Sequence, residues 1–431
     1  FTFPDVNKGL WSFASPASAP DGFATGMDNL DLPGGVVTSM PGDSINNDVA
    51  YDAASTVTLQ CDYKSSTGGA PVNVIGTSLG NIITVTGTTA TVLRPGFSTA
   101  AGIWWSHKQY GTDLFIANPT DGVWRYDNNT LVPIGAKAIA QMESDEASLW
   151  AGETADTTNY KEGVQAMYVE SSGSQTTMTF TPASNFDAVS GRLGARDYVS
   201  DKSPGTDFYH FFIKFTNTGT VDTTNTRLLL TDGDGDSLNF PMTVWLTSKS
   251  SSGTAVTATP TDGTWYEIWC EANDGTETAT FDSSNIDTFA FAVDTSAGTR
   301  RMIVDDFYVV YAQTMPAVQI LAEWKNILFG LTGDEYNFSP AGAPDEYDTD
   351  ANDVLKSDGE AITAAARFFN QLTVGTDSHV FTLSGSVVGQ VYPSYEFDIN
   401  EVTDEFGISS HRSIVKGQNK LWWCWKQQIC S

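Results

Sequence analysis

The sequence repeats one β-hairpin pattern, and this repeat constrains the fold more than any other feature. In the clearest copy, residues 112–127, an apolar strand at 114–117 is followed by turn-forming residues at 118–122 and by an aromatic-rich strand. Four further copies open with an asparagine and a short apolar strand, at residues 81–85, 326–330, 370–374 and 419–423. The chain is therefore predicted to contain several similar antiparallel sheets.

The spacing of these hairpins indicates an inserted domain. Their first apolar core residues are Ile82, Leu114, Ile327, Leu372 and Leu421, at intervals of 32, 213, 45 and 49 residues. Removal of residues 138–312, which number 175, reduces the long interval from 213 to 38 residues. The period then lies near the roughly 40–50 residues of a four-stranded propeller blade. We therefore predict an all-β fold in which a β-propeller is interrupted by a second domain.

This pattern divides the chain into four predicted regions. Residues 1–47 lack strand periodicity and are rich in Pro, Gly, Asp and Ser, which is typical of an extended arm. Residues 48–137 and 313–431 carry the hairpins and are the first and second parts of the propeller. Residues 138–312 are the insert, and their short alternating strands with Gly, Asp and Ser turns predict a β-sandwich. The eight strands predicted there span residues 166–169, 177–180, 209–215, 227–230, 243–246, 265–269, 288–293 and 302–310.

The charge balance excludes some functions. A net charge of −30, from 22 basic and 52 acidic residues, argues against nucleic acid as a bound ligand, because Lys and Arg drive such binding by neutralising phosphates. It equally disfavours anionic membrane surfaces. An acidic surface agrees with the wall of a channel past which DNA slides without binding. It also agrees with the simpler interpretation that the charge only maintains solubility. No apolar run approaches the length of a membrane span.

Two common signatures of catalysis are missing from the sequence. It has no P-loop and no Gly-x-Gly-x-x-Gly motif after a strand. The four histidines are scattered, and no Cys-x-x-Cys spacing occurs. The cysteines, expected to be free thiols, are Cys61, Cys270, Cys424 and Cys430. We therefore expect a protein that is not an enzyme and requires no cofactor, although paired carboxylates for glycoside hydrolysis need only spatial proximity and stay open.

Two acidic segments are candidate structural calcium sites. Asp232, Asp234 and Asp236 alternate with glycines, as in calcium loops, but Thr243 stands where an EF-hand requires an acidic residue. The alternative interpretation is an exposed acidic turn. Asp305, in the last predicted strand of the insert, is the second candidate.

Aromatic residues of the insert are candidate glycan contacts. Trp245 and Trp269 are of the type that stacks on sugar rings. The alternative is that both belong to the core, where Trp in alternating strands is more often found.

Two resemblances extend these expectations. Glu162-Gly163, Thr261-Asp262-Gly263-Thr264-Trp265 and Val304-Asp305-Asp306-Phe307 resemble the jelly-roll modules common among carbohydrate-binding domains. This resemblance covers the insert. It implies a structural calcium near Asp305, with acidic partners among residues 143–146.

Outside the insert, the chain resembles the propeller-bearing nozzle, hub or stabilisation proteins of short-tailed bacteriophages and related viruses. Segments 29–35 and 40–42 resemble the opening of that family, although Met40 stands where the family has Arg. Segments 124–127, 325–330 and 369–374 resemble successive blades. The family implies a structural virion protein, assembled in the host cytoplasm and forming a ring, typically sixfold, around the DNA exit path. Its partners would be further copies of itself, portal or adaptor proteins and tail fibre proteins.

The leading hypothesis is therefore a virion tail component whose insert projects outward to meet another protein or a host glycan. The alternative is a secreted glycan-binding or glycan-hydrolysing propeller protein that carries a carbohydrate-binding module. A lectin-like adhesin without catalytic activity is a third interpretation.

Overall fold

The structure is a computed structural model. The predicted arm, residues 1–47, lies outside the described residues except for two dipeptides. The described residues are 30–31, 38–39, 55–65, 71–86, 89–100, 103–128, 130–142, 144–161, 165–186, 188, 208–217, 219–246, 256, 259–278, 280–310, 315–345, 347, 351–355, 359–385, 397–417, 420–426 and 428–430.

The described residues form strands, turns and short 3-10 segments, and they include no α-helix. The strands before the insert are β1 (Leu30–Asp31), β2 (Thr38–Ser39), β3 (Val57–Tyr63), β4 (Val72–Thr77), β5 (Ile82–Thr86), β6 (Thr89–Arg94), β7 (Ser106–Tyr110), β8 (Asp113–Asn118), β9 (Gly122–Tyr126) and β10 (Leu131–Pro133). The next strands are β11 (Ala136–Ala140), β12 (Trp150–Ala151), β13 (Thr154–Asp156), β14 (Ala166–Ser171), β15 (Thr176–Phe180), β16 (Phe208–Thr216), β17 (Thr220–Val221), β18 (Arg227–Asp232), β19 (Ser237–Pro241), β20 (Trp265–Glu271), β21 (Thr276–Thr278), β22 (Ile286–Val293), β23 (Thr295–Ala297) and β24 (Arg300–Val310). The last strands are β25 (Ile320–Trp324), β26 (Ile327–Thr332), β27 (Glu335–Phe338), β28 (Asn352–Val354), β29 (Ala364–Phe368), β30 (Gln371–Gly375), β31 (Val380–Ser384), β32 (Asp398–Thr403), β33 (Val415–Gly417), β34 (Lys420–Trp425) and β35 (Gln428–Cys430). The 3-10 segments are Ser144–Leu149, Met242–Val244, Ala272–Asp274 and His411–Ser413.

All five predicted hairpins are confirmed, and each belongs to a small antiparallel sheet. Consecutive strands pair in four four-stranded sheets, β3 to β6, β7 to β10, β25 to β28 and β29 to β32, and in a three-stranded sheet, β33 to β35. The turn residues are what the geometry requires: Gly122 has φ 83°, in the left-handed region that glycine adopts at little cost. The sequence pattern therefore identified the strands of these sheets correctly.

The five small sheets contact one another in a cyclic series. The Tyr63 hydroxyl of the first sheet donates to Thr112 O beside the second, and Leu321 N of the third sheet donates to Ser106 Oγ of the second at 2.9 Å. Arg367 of the fourth sheet pairs with Glu323 of the third at 3.2 Å.

The series continues through the fifth sheet and returns to the first. Ala365 N of the fourth sheet donates to His411 Nδ1, just before the fifth, at 3.3 Å. Arg412 Nη2 then donates to Thr58 O in β3 at 3.3 Å. Three apolar clusters fill the spaces between neighbouring sheets. One of them joins the segment before the insert to the one after it, since it contains both Phe115 and Phe329.

The fit between the fourth and fifth sheets depends on small residues. A Cβ added at Gly375 would lie 2.5 Å from Ile408 Cγ1, and Ile408 is fully buried. Glycine therefore permits a close approach that a larger residue would prevent.

The insert consists of two six-stranded sheets packed face to face. One sheet has the order β13-β14-β24-β16-β20, with β11 paired to the end of β24, and the other has the order β12-β15-β22-β18-β19-β21. A continuous core lies between them. Within β16, Tyr209, Phe211, Ile213 and Phe215 point into this core while the residues between them face outward, as the period of two in a strand requires. The all-β fold and the sandwich are thus observed.

One predicted strand of the insert is wrong, and several observed strands, most of them short, were not predicted. Residues 243–246 do not form a strand: Met242–Val244 is a 3-10 turn, and only Leu246 makes an isolated bridge, with Trp269. One of the unpredicted strands is β19, which pairs with β18 as a hairpin. Its sequence, Ser-Leu-Asn-Phe-Pro, alternates between polar and apolar residues, but it is short and follows an acidic turn. The pattern around Trp245 instead predicts a strand at residues 243–246, one segment later.

A buried ion pair joins the sandwich to the first small sheet. Asp306 has φ 52° at an irregularity in the pairing of β16 with β24, which turns its side chain away from the sandwich core. Its carboxylate receives two hydrogen bonds from Arg94, at 3.1 and 2.6 Å. Arg94 also lies over the Trp124 ring at 4.4 Å. A small apolar cluster that includes Val132 and Trp269 completes this junction.

Candidate functional site

A cleft of about 430 Å³ lies where the sandwich meets the first two small sheets. We call it the junction cleft. Its walls are the end of β6, the β8–β9 turn with the start of β9, and the outward face of the sheet that contains β16 and β20. The side chains that matter to its chemistry are Arg94, Phe97, Asp121, Trp124, Phe212 and Glu267.

The repeated hairpin itself builds one wall of the junction cleft. The Asn118 carboxamide oxygen accepts from the backbone N–H groups of Thr120 and Asp121 at 2.8 and 2.7 Å. Its nitrogen donates to Asp121 Oδ2 at 2.7 Å. The Trp124 indole N–H donates to Asp121 O at 2.8 Å. This turn network fixes the tryptophan and the carboxylate side by side, because a side chain with several hydrogen bonds has little rotamer freedom left.

The sandwich builds the opposite wall through the register of its strands. Phe212 of β16 lies between Asp305 of β24 and Glu267 of β20 in one row across the sheet. The next row contains Tyr308, His210 and Trp269. Phe212 is half-buried and the Glu267 side chain is 47% exposed, so this end of the row is open to a ligand.

Glu267 is oriented by a buried histidine. His210 is fully buried, and its Nε2 lies 2.9 Å from Glu267 Oε1. The imidazole stacks on the Tyr308 ring with 4.3 Å between centroids and meets the Trp269 ring edge-on at 4.4 Å. These aromatic contacts hold the ring, and the ring holds the carboxylate at the edge of the junction cleft.

A second band of polar and aromatic side chains crosses the same outward face. Tyr168, Ile303, Lys214 and Trp265 lie in one row over four strands. The Arg301 guanidinium lies 4.0 Å from the centre of the Tyr168 ring. This face therefore combines half-buried aromatic rings with charged groups, which is unlike the purely apolar inner face.

The expected glycan contacts Trp245 and Trp269 are corrected by the structure. Trp245 is fully buried between the two sheets, where its indole N–H donates to Phe240 O at 3.1 Å. Trp269 is 3% exposed and packs in the junction with Val132. Neither ring can stack on a sugar in this conformation, and the alternative interpretation, core packing, is the observed one.

The acidic segment 232–236 forms the turn between β18 and β19. Asp232 is buried, and its carboxylate accepts from the backbone N–H groups of Asp234, Asp236 and Asp282 at 3.1, 2.9 and 2.8 Å. The hydrogen bond from Asp282 N–H is the largest cause of its lowered pKa. Because these hydrogen bonds already occupy both oxygens of Asp232, the arrangement favours the alternative interpretation, an acidic turn.

The second calcium candidate, Asp305, is also used within the protein. It is fully buried, and its Oδ2 accepts from Lys161 N at 2.6 Å. Of its expected partners, Glu143 lies outside the described residues, and Glu146 accepts from the backbone of Gln141 and Met142. Among the described residues, no group of three or more His, Cys, Asp or Glu side chains is placed to hold a metal ion. Calcium binding stays a prediction.

One cluster has the residue types of a hydrolase triad without its geometry. Ser378 Oγ lies 2.9 Å from His379 Nδ1, and Glu360 Oε2 lies 3.2 Å from the same nitrogen. Ser378 also donates directly to Glu360 at 2.6 Å. A proton relay needs the serine and the carboxylate on opposite ring nitrogens. These groups instead hold the turn between β30 and β31.

The cysteines are free, as expected. Burial raises the pKa of the Cys61 thiol to about 12, and it raises that of Cys270 well above its ordinary value. Both are therefore neutral and unreactive at pH 7. In the last hairpin, Cys424 pairs with Ile429 and Cys430 pairs with Trp423. Because Trp423 and Cys424 are adjacent in the same strand, the two thiols lie on different faces of the hairpin.

Comparisons with known proteins find matches only among solved structures. No protein-family model matches the chain, and no curated protein matches it at a significant level. A solved family 11 carbohydrate-binding module from Clostridium thermocellum, in complex with a β-1,3-1,4-mixed-linked tetrasaccharide, matches at 13% identity over 42% of this chain and 99% of that module, with a TM-score of 0.29. A family 30 module of a cellulosomal cellulase from the same organism matches at 13% identity over 41% of this chain and 91% of that module, with a TM-score of 0.26. An agarase matches at 13% identity over 43% of this chain and 25% of the enzyme, with a TM-score of 0.25.

Two of these three proteins are carbohydrate-binding modules, and none is a viral tail protein. At such identities and TM-scores the function has to be argued from the residues. No helix among the described residues is long and apolar enough to cross a membrane.

Proposed function

We propose that the protein binds carbohydrate in the junction cleft and does not cleave it. The observation that carries this proposal is the pairing of two accessible aromatic rings, Trp124 and Phe212, with the exposed carboxylate of Glu267 around a cleft of about 430 Å³. Sugar rings present an apolar face and a rim of hydroxyl groups. Aromatic rings bind the face, and a fixed carboxylate accepts hydrogen bonds from the rim.

The proposal assigns the two walls different roles. Trp124 is fixed by its hydrogen bond to Asp121 O, so it provides a rigid platform. Glu267 is oriented by His210 and provides the polar contact. The Asp121 carboxylate already accepts from Ser98 N at 3.1 Å and from Asn118, so it is a structural part of the wall rather than a second acid for hydrolysis.

A glycan array followed by calorimetry with the best oligosaccharide tests this proposal. Phe212→Ala and Glu267→Gln are expected to weaken binding about tenfold each, equivalent to ~1.4 kcal/mol. Phe369→Ala is the matched control, because Phe369 is an exposed aromatic residue outside the junction cleft. Equal binding by wild type and both cleft variants contradicts the proposal. Release of shorter products on long incubation contradicts its non-catalytic part.

A second candidate function is a ring-forming structural role in the tail of a virus. The observation that favours it is the cyclic series of five small sheets, which returns to its start through Arg412 and Thr58. We infer that these sheets are the blades of a five-bladed β-propeller, and that copies of the chain assemble into a ring around the DNA exit path. The strongly acidic composition, with a net charge of −30, agrees with DNA passing that wall without binding.

Quantitative mass spectrometry of purified virions tests the structural role. A fixed copy number equal to a small multiple of the portal symmetry is expected, and absence from virions contradicts it. Glycan binding by the junction cleft is measured on the isolated chain, so the two proposals fail independently.

A further inference from the structure

A second cavity, of about 500 Å³, lies where the last sheet closes against the first. We call it the seam cavity. Its walls are residues 57–60 of β3, residues 104–107 leading into β7, and the 3-10 segment His411–Ser413 with Ile414 after it. It is separate from the junction cleft, with which it shares no wall residue.

The seam cavity is basic in a strongly acidic protein. The chain has 52 acidic and 22 basic residues, yet the described residues that line this cavity include His107, His411 and Arg412 and no Asp or Glu. Lys108 follows His107 directly. No ion pair between these four residues and an acidic side chain occurs within the described part of the chain. Arg412 is thus a cationic group in a cavity whose described lining holds no acidic side chain, and this favours an anion there.

The basic groups are held in place around one indole. The His411 ring stacks on Trp104 with 6.2 Å between centroids and 19° between planes. The Arg412 guanidinium lies 5.3 Å from the same ring and donates one N–H to Thr58 O at 3.3 Å. A guanidinium carries five N–H groups, so donors are left over for a ligand.

The protonation pattern of His411 suits an anion as well. Its Nδ1 accepts from Ala365 N at 3.3 Å, which makes Nε2 the nitrogen that carries the proton. Burial first, and then the charges of His107, Lys108 and Arg412, lower the pKa of His411 to about 4. His411 is therefore a neutral donor at pH 7, and a nearby negative charge would make its protonation easier.

We propose that the seam cavity binds a small oxyanion, a carboxylate, sulfate or phosphate group, through Arg412, His411 and His107. The group could belong to a free inorganic ion or to an acidic sugar, and both present the same oxygen atoms to the same donors. This proposal does not depend on glycan binding in the junction cleft.

Nuclear magnetic resonance of histidine side chains in the full chain tests the proposal. The probes are inorganic sulfate, inorganic phosphate and glucuronate, with glucose as the neutral control. A bound oxyanion is expected to raise the pKa of His411 by about one unit, because an opposite charge at short range favours the charged imidazolium. Glucose is expected to leave it unchanged.

Three variants separate binding from folding. Arg412→Gln is expected to weaken oxyanion affinity at least tenfold, about the effect of losing one charge-assisted hydrogen bond. Because Arg412 also contacts Thr58, His107→Gln is the second variant: it leaves that contact in place and should weaken binding severalfold. Arg367→Gln, an exposed arginine on β29, is the control and should bind as the wild type does.

Each outcome decides the question. A pKa shift with all three anions supports a general oxyanion site, and a shift with glucuronate alone supports an acidic sugar. No shift with any anion overturns the proposal. A shift that persists unchanged in both Arg412→Gln and His107→Gln also overturns it.

Discussion

The β-sandwich and the five small sheets bury their apolar residues in opposite ways. The sandwich has one continuous core between two large sheets, and this core contains buried side chains from residue 139 to residue 309. The small sheets divide their apolar residues among three clusters, each shared by neighbouring sheets. Damage to one buried residue should therefore spread through the sandwich but stay local among the small sheets.

The largest expected effect is in the sandwich core. Trp245→Ala removes a fully buried ring that meets Phe211 edge-on at 5.3 Å. We expect a loss of about 3–5 kcal/mol in the free energy of unfolding, since the surrounding side chains cannot fill the space. Urea denaturation followed by fluorescence measures it. Trp265→Ala, at a half-buried position on the outward face, should cost less than half as much. Equal losses would contradict the single-core description.

The next effect tests the junction between the two regions. Asp306→Asn keeps a side chain that tolerates the left-handed backbone but removes the charge that pairs with Arg94. We expect a loss of about 3 kcal/mol, because removing one partner leaves the other charge buried. Arg94→Met with Asp306→Asn should cost clearly less than the two single losses together. A double-mutant cycle from denaturation data measures this coupling, and simple additivity would count against a buried pair.

A smaller and more local effect is expected among the small sheets. Gly375→Ala places a methyl group against Ile408, and we expect a loss of about 1–3 kcal/mol from overpacking. Hydrogen exchange should show the loosening only in β29 to β35. Adding Ile408→Ala supplies the missing space, so the pair should be less damaging than the two changes summed. Loosening that reaches the sandwich would break the proposed contrast.

The smallest effect is a change in the response to acid. Hydrogen bonds from Ser378 first, and then from Thr376, lower the pKa of Glu360 from 4.5 to about 2. A lowered pKa in the folded state stabilises the protein above about pH 4.5, and this contribution is lost as the pH falls toward 2. Glu360→Gln should therefore flatten the decline in stability between pH 4.5 and pH 2, measured by denaturation at each pH. Glu277→Gln, at an exposed position on β21, is the control and should follow the wild type.

The same contrast explains what the sequence could predict. The hairpins of the small sheets pair neighbouring segments, so turn residues and alternation were sufficient to find them. The order of the sandwich sheets joins distant segments, such as β14 with β24, and nothing local in the sequence encodes that order. The error at residues 243–246 has the same origin: the apolar run there fills the core from a 3-10 turn rather than from a strand.

The candidate sites were harder to predict than the fold. The tryptophans chosen by residue type are buried, whereas Phe212 and Glu267 were passed over. Alternation within β16 places Phe212 opposite the core residues Phe211 and Ile213, so period-two counting gives its direction. Its partner Trp124 comes from a different sheet, and only the tertiary structure shows that the two residues line the same cleft.

The pairing of Ala136 directly with Val310 makes the sandwich a module that can be exchanged. Its entrance and exit are neighbouring strands, about 5 Å apart, so a short turn could replace everything between them without stretching the chain on either side. Grafting another domain at these two residues, or transplanting the sandwich into an unrelated loop, should therefore preserve the host fold. Such a graft would lose the ion pair between Arg94 and Asp306, because Arg94 lies in the first small sheet and Asp306 lies in the sandwich.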